Sequence, residues 1–217
     1  MKKTVMAGLL AASALLPLLH GCVPAVVVAG VAGGAMSSLD RRSLGTQTED
    51  EGIEWKASAR ITEKFGEKVH VNYTSFNRRV LLTGEVANDE IKAEVERQVR
   101  GIANVQDIYN ELTLRAMTSF AGRSNDAYIT SKVKGRFVDV GKFNPIRVKV
   151  VTEAGTVYLM GILTQREADS AVWVTRTTAG VSRVVNVMEI ISEAKARELD
   201  NAPSAKNKSP APQEYSN

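Results

Sequence analysis

The chain has 217 residues, with 28 Lys and Arg against 24 Asp and Glu, a net charge of +4. Its 44% hydrophobic and 24% charged residues exclude wholesale disorder and a polytopic membrane protein, and so weak a charge makes no case for nucleic acid as a partner. One cysteine, Cys22, and two histidines, His20 and His70, exclude an intrachain disulfide and a Cys/His zinc cage on supply alone.

Lys2 and Lys3 open the chain, and an uncharged, largely apolar run follows from Val5 to Leu19. That run is shorter than the roughly 20 residues a membrane span needs and fits the apolar region of a secretory signal. It ends in Leu19-His20-Gly21-Cys22, which resembles a bacterial lipobox, with His20 as the departure from the usual small or apolar residue. The resemblance implies cleavage after residue 21, acylation of Cys22, and, with Val23 rather than aspartate next, sorting to the outer membrane. Several acyl chains on one residue anchor a protein stably. Residues 22–46 are expected to be the acylated N-terminus and a flexible tether, glycine-rich in its first part.

An internal repeat organises the rest. Val80-Leu81-Leu82-Thr83-Gly84-Glu85-Val86 aligns with Val157-Tyr158-Leu159-Met160-Gly161-Ile162-Leu163 at an offset of 77, and the same offset pairs Glu90 with Glu167 and Val95 with Val172. Each copy reads helix, strand, strand, helix, strand. In residues 47–114 the expectation is a helix over Ile53–Phe65, with Glu49, Asp50, Glu51 and Glu54 near its positive N-terminal end. An alternating strand over 69–73 and a second over Val80–Val86 follow, then a helix capped by Asn88, then one strand from Val105 to Leu114. In residues 115–192 Asn125 caps a helix to about Val138, strands follow at 146–152 and 156–163, Thr164 caps the next helix, and 181–191 closes the unit. Gly84 and Gly161 mark a bulge or tight exit late in the second strand. Residues 193–217 carry no apolar period and are expected to be a disordered tail.

The αββαβ repeat, with its glycine after strand two and its Gly-Val-x-x-Val close, resembles the BON domain. The full layout resembles the dual-BON-domain outer-membrane lipoproteins. Carrying the likeness are the lipobox, Asp40-Arg41-Arg42-Ser43-Leu44-Gly45-Thr46-Gln47, Ile108-Tyr109-Asn110-Glu111-Leu112 and Tyr128-Ile129-Thr130-Ser131-Lys132-Val133-Lys134. The resemblance implies an α+β fold of two tandem BON domains, each a three-stranded mixed sheet with two helices on one face. It also implies a lipid-anchored protein of the outer membrane, facing the periplasm, that supports envelope integrity. Such proteins bind anionic phospholipid through the first helix of the second domain and gather at division sites.

Charge gives a separate line of argument. Residues 47–114 hold 9 basic and 13 acidic side chains, residues 115–192 hold 11 and 6, and residues 115–149 alone hold 8 and 2. The second copy is thus the one suited to an acidic surface. At about 100° per residue, Ile129, Val133, Phe137 and Val140 share the core face of its first helix, and Tyr128, Lys132, Gly135 and Arg136 share a neighbouring arc. A ring beside long cations suits a lipid headgroup layer. The expected phospholipid-contacting set is therefore Tyr128, Ile129, Lys132, Lys134, Gly135 and Arg136, with Cys22 as the lipidation site. The corresponding helix of the first copy carries Glu54, Trp55, Lys56, Arg60, Glu63 and Lys64, a mixture of signs, and Trp55 is expected in core or interdomain packing.

Catalytic chemistry finds no support in the residues. Beyond the signal segment only His70 remains as an imidazole, expected on the solvent side of its strand; nothing in the sequence places a Ser/His/Asp set around it, and nothing favours a glycosidase-type carboxylate pair among the abundant acids. Gly66-Glu67-Lys68 lacks phosphate-loop spacing. The expectation is a non-enzymatic protein without cofactor or metal, with an anionic phospholipid membrane as its partner. The alternative is a protein-docking accessory factor for outer-membrane protein assembly.

Overall fold

The computed structural model describes residues 39–115 and 119–202. The signal segment, Cys22, the tether as far as residue 38 and the tail from residue 203 lie outside the described residues. Ser43 opens the first helix by accepting the Thr46 N–H at 3.1 Å, and α1 runs Leu44–Phe65. Strands β1 (His70–Phe76) and β2 (Arg79–Val86) form an antiparallel hairpin, with Val71 opposite Gly84 and Phe76 opposite Arg79. Helix α2 (Asp89–Arg100) starts at Asn88, whose side chain accepts the Ile91 N–H at 2.9 Å. β3 (Asp107–Asn110) and β4 (Thr113–Leu114) then lie parallel to β2 on the side away from β1.

The second copy repeats this order. Helix α3 (Phe120–Val140) is followed by a 3-10 turn at Pro145–Arg147, then β5 (Val148–Glu153), β6 (Thr156–Thr164), α4 (Gln165–Arg176), β7 (Arg183–Asn186) and β8 (Glu189–Ile191). Thr164 and Glu167 form a reciprocal capping box at the head of α4. β5 pairs antiparallel with β6, and β7 and β8 pair parallel with it. A last helix, α5, spans Glu193–Asp200.

Alternation along β2 and β6 explains how the two copies meet. Val80 and Leu82 join Ile53, Ala57 and Ile61 of α1 and Val95 and Val99 of α2 in one core. Val157, Leu159 and Leu163 do the same with Ile129, Val133 and Phe137 of α3 and Ala168, Ala171 and Val174 of α4. The residues between them point to the opposite faces, where Phe76 and Leu81 of one sheet meet Tyr158, Met160 and Ile162 of the other. The sheets therefore pack against each other and each pair of helices lies on the outside. Polar ties ring this seam: Lys149 to Glu54 at 2.9 Å, Asn77 to Glu189 at 2.8 Å, and Arg183 to Glu111 at 2.9 Å.

Several expectations need correction. α1 begins nine residues before Ile53, and Asp50 is a buried residue inside it rather than a charge at its end. Its carboxylate accepts from Ser75 Oγ and from the Asn77 and Arg78 N–H groups at 2.7–2.8 Å, so it holds the β1–β2 turn. The tether is not free as far as residue 46, because Arg41 and Arg42 are locked by carboxylates and α1 has begun by Leu44. Nor is 193–217 disordered throughout, since 193–200 is helical. Each expected third strand is broken in two. In the first copy the break lets Leu112 turn into the core while the Glu111 N–H still bonds Leu82 O at 3.0 Å. Trp55 is not packed: it is 73% exposed on the outer face of α1. His70 is half-buried rather than solvent-facing, with Nδ1 2.8 Å from the carboxylate of buried Glu85.

Candidate functional site

The outer face of α3 carries most of the expected lipid-contacting set. Ser119, not Asn125, caps this helix, accepting the Gly122 N–H at 3.2 Å, and Gly141 ends it in the left-handed region at φ 61°. Asp126 fixes the helix against its own sheet. It is buried, and its two oxygens accept the Ala154 and Gly155 N–H groups of the β5–β6 turn at 2.8 and 2.9 Å. Asp50 does the same work in the first copy, so the pair recurs at an offset of 76. The signal in the sequence is a repeated acid three residues ahead of a core isoleucine.

With α3 so held, Tyr128 is 62% exposed. Lys132 Nζ sits 4.4 Å from the centroid of its ring and donates to Ala179 O at 2.5 Å. Arg136 Nη1 donates to Val174 O and to Thr178 Oγ1, both at 2.8 Å. These acceptors are neutral groups at the C-terminal end of α4 and the turn beyond it. They orient the two cations, and the helix dipole favours them there. They do not supply a full opposing charge, as a carboxylate would. Gly135 is exposed one turn beyond Lys132 with open space around it, and Lys134 is exposed on a different side of the helix.

Ile129 does not belong with them. It is 1% exposed and packs in the core, where a Cβ on Gly180 would press on both its side chain and Lys132 Nζ. The structure therefore groups Tyr128, Lys132, Gly135 and Arg136 on one side of α3, leaves Lys134 exposed on another side of the helix, and removes Ile129. It adds two exposed apolar side chains absent from the expected set, Val138 on α3 and Trp173 on α4. A helical wheel of 165–176 sets Trp173 opposite the buried Ala168, Ala171 and Thr175, and is the signal that finds it.

Among the described residues no helix is long and apolar enough to cross a membrane, and no group of three or more His, Cys, Asp and Glu side chains could hold a metal ion. The surface can offer an amphipathic ring, cations held by neutral acceptors, and an open approach at Gly135. These are the elements of contact with an anionic layer.

Comparison with known proteins bears on the fold and the relatives. Residues 53–116 and 125–192 each match the family model of the BON domain. The chain is 36% identical over 175 residues to the outer membrane lipoprotein DolP of Haemophilus influenzae, covering 80% of this chain and 90% of that protein. It is 30% identical over 155 residues to the 21 kDa hemolysin of Actinobacillus pleuropneumoniae, covering 70% of this chain and 80% of that one. Among solved structures, CdsD, a structural protein of the type III secretion system of Chlamydia trachomatis, aligns over 72% of this chain and 98% of its own, at 16% identity and a TM-score of 0.28.

Proposed function

The chain belongs to the BON domain family, of which it carries two copies, and on that premise we propose that it is a non-enzymatic outer-membrane lipoprotein whose second domain docks on anionic phospholipid. In this reading acylated Cys22 holds the protein to the membrane, the domains face the periplasm, and the contact supports envelope integrity, with gathering at division sites. The similarity to an outer membrane lipoprotein over most of both chains supports the location.

One observation carries the lipid contact. Tyr128 stands in solvent with Lys132 stacked on its ring, and Lys132 and Arg136 are steadied by carbonyl and hydroxyl oxygens rather than by carboxylates. Their positive charge is therefore available to phosphate. Each basic group near an anionic surface contributes about 1 kcal/mol, which is weak alone. A covalent anchor keeps the surface close, so weak contact suffices.

The test is vesicle cosedimentation of the full chain with and without phosphatidylglycerol. Tyr128→Glu should weaken the anionic-specific part by about tenfold, since it replaces the ring with a like charge to the membrane. Binding should also fall as salt rises. Equal binding by the variant and the parent sinks the reading. A second reading, docking to a protein of the outer-membrane assembly machinery, draws support from Trp55. That ring stands exposed on the helix layer of the other domain, among charges of both signs.

A further inference from the structure

We propose that Trp173 and Arg176 on α4 form a second membrane contact, beside the Tyr128 face of α3, so that the two helices dock together on the headgroup layer of an anionic bilayer. This rests on the lipid reading of α3 and adds a second helix to it.

The fold puts both helices on one side. α3 and α4 cover the same face of their sheet, and the sheet's other face is sealed against the first domain. Their outer surfaces therefore look away from the protein together. Trp173 is 57% exposed, on the side of α4 opposite its buried stripe. An indole left in water forgoes the burial that usually places it inside, and its amphipathic ring suits the boundary between headgroups and acyl chains. Arg136 and Lys132 bridge from α3 to the end of α4, at Val174, Thr178 and Ala179. The ring of Tyr128 and the indole of Trp173 are thus carried by helices that are fixed to each other.

Charge complementarity points to an acidic surface as the occupant. Arg176, one turn beyond Trp173, has no hydrogen bond or ion pair with any described residue. The shallow groove beneath the pair, of about 590 Å³, is lined by Asp169, Val172, Trp173, Arg176, Thr177 and Asn186. Asp169, its one acid, accepts from Gln165 Nε2 at 2.8 Å. The first domain supplies an internal contrast. Helices α2 and α4 are each twelve residues long and start 76 positions apart, so Trp173 corresponds to Arg97 and Arg176 to Arg100. Arg97 is ion-paired with Glu94 and Arg100 with Glu96, so at these positions that helix offers neither a ring nor an unpaired cation.

The chain's two tryptophans allow a direct reading. Trp55→Phe leaves Trp173 as the sole indole, and Trp55 is exposed enough that the change spares the core. The full chain is reconstituted in vesicles of phosphatidylcholine alone, or of phosphatidylcholine with phosphatidylglycerol. On the anionic vesicles Trp173 emission should shift to the blue, lose its quenching by acrylamide and gain quenching by brominated acyl chains. Arg176→Gln or high salt should reverse these changes. A companion chain with Trp55→Phe, Trp173→Phe and Tyr128→Trp places its sole indole on α3 and reports from there in the same vesicles. If the α3 indole is protected while Trp173 stays open to acrylamide, α4 is not a contact and the α3 reading survives. If neither is protected, the α3 reading fails and takes this one with it. If Trp173 alone is protected, joint docking is overturned.

Discussion

Arg41 and Glu167 stand 126 positions apart in the chain and meet in a two-pronged ion pair at 2.7 and 3.2 Å, with their side chains only 3% and 9% exposed. Arg41 also reaches Asp200 of α5 at 2.9 and 3.1 Å and Ile162 O at 2.9 Å. Its neighbour Arg42 turns to the first domain, bonding Asp50 at 2.8 Å and lying 3.8 Å over the Phe76 ring. Two adjacent arginines thus rivet the start of the described chain to both domains and to the last helix. Arg147 closes the cluster, with bonds to Glu167, Asp200 and Leu39 O.

Arg41→Ala should cost about 3 kcal/mol, because it strips a nearly dry guanidinium from two carboxylates and leaves them short of partners. For a chain of this size that lowers the melting temperature by roughly 6–12 °C, read by circular dichroism. Arg41→Lys should recover little of it, since a point charge cannot fill the planar fork between Glu167 and Asp200. A melting temperature within a degree of the parent for Arg41→Ala would show that the clasp adds nothing to stability.

Acid should open the same clasp. Burial pushes the Glu167 carboxyl up, but hydrogen bonds from Arg41 and the Thr164 N–H, with the charges of Arg41 and Arg147, outweigh it and hold the group below its ordinary range. The hydrogen bond from Arg41 holds Asp200 down as well, against some burial. Both values are lower in the folded chain than in the unfolded one. Their stabilisation is therefore complete above the unfolded carboxylate range of about 4 and is lost as pH falls through the folded values. Amide exchange in 193–200, normalised to the intrinsic rate at each pH, should be slow at neutral pH and approach that intrinsic rate below about pH 4. Asp200→Asn should speed that exchange already at neutral pH and flatten its acid dependence.

Gly84 and Gly161 should not tolerate alanine. At each, a Cβ would strike a backbone carbonyl oxygen across the hairpin, His70 O of β1 in one copy and Arg147 O, just ahead of β5, in the other. Gly84 also has φ 117°, which an L side chain rarely adopts. Gly84→Ala and Gly161→Ala should each cost about 2–3 kcal/mol in denaturant titrations, as overpacking and backbone strain do elsewhere. Gly135→Ala is the control, since open space surrounds it and alanine favours a helix. A larger loss at Gly135 than at Gly161 contradicts this account.

Asp126→Ala should orphan the Ala154 and Gly155 N–H groups and cost about 2 kcal/mol. It should also loosen α3 two residues before Tyr128, so vesicle binding should fall with stability. Asp50→Ala, its counterpart, should destabilise the first domain and leave α3 in place. Matching losses of vesicle binding in the two variants would separate Asp126 from any positioning role.

Much of this fold is local and can be read from neighbouring residues. The 77-residue offset of β2 and β6, their alternation through Val80–Val86 and Val157–Leu163, and the Asn88 and Thr164 caps need only a few residues to act, and the structure keeps them, while the helices that follow repeat at 76 and not at the expected 77. The core stripe of Ile129, Val133 and Phe137 is legible on a wheel, and that same wheel argues against Ile129 as a lipid contact. The start of α1 is not legible. Leu44–Gly52 has no apolar period, and what holds it is Ser43 at its cap and Asp50 on a turn more than twenty residues away.

What a linear reading determines is which face of each element is apolar and where its ends are capped, because those effects act within a turn or a strand pair. Which surface covers each face depends on chain segments that folding brings together. The nearly unbroken apolar runs of β2 and β6 imply that both their faces are buried. Only the tertiary structure decides that the second faces meet each other, so that Leu81 is sealed by Tyr158 while Trp55 and Trp173 are left on the outside. It alone pairs Arg41 with Glu167, because charge attraction depends on distance through space and not along the chain.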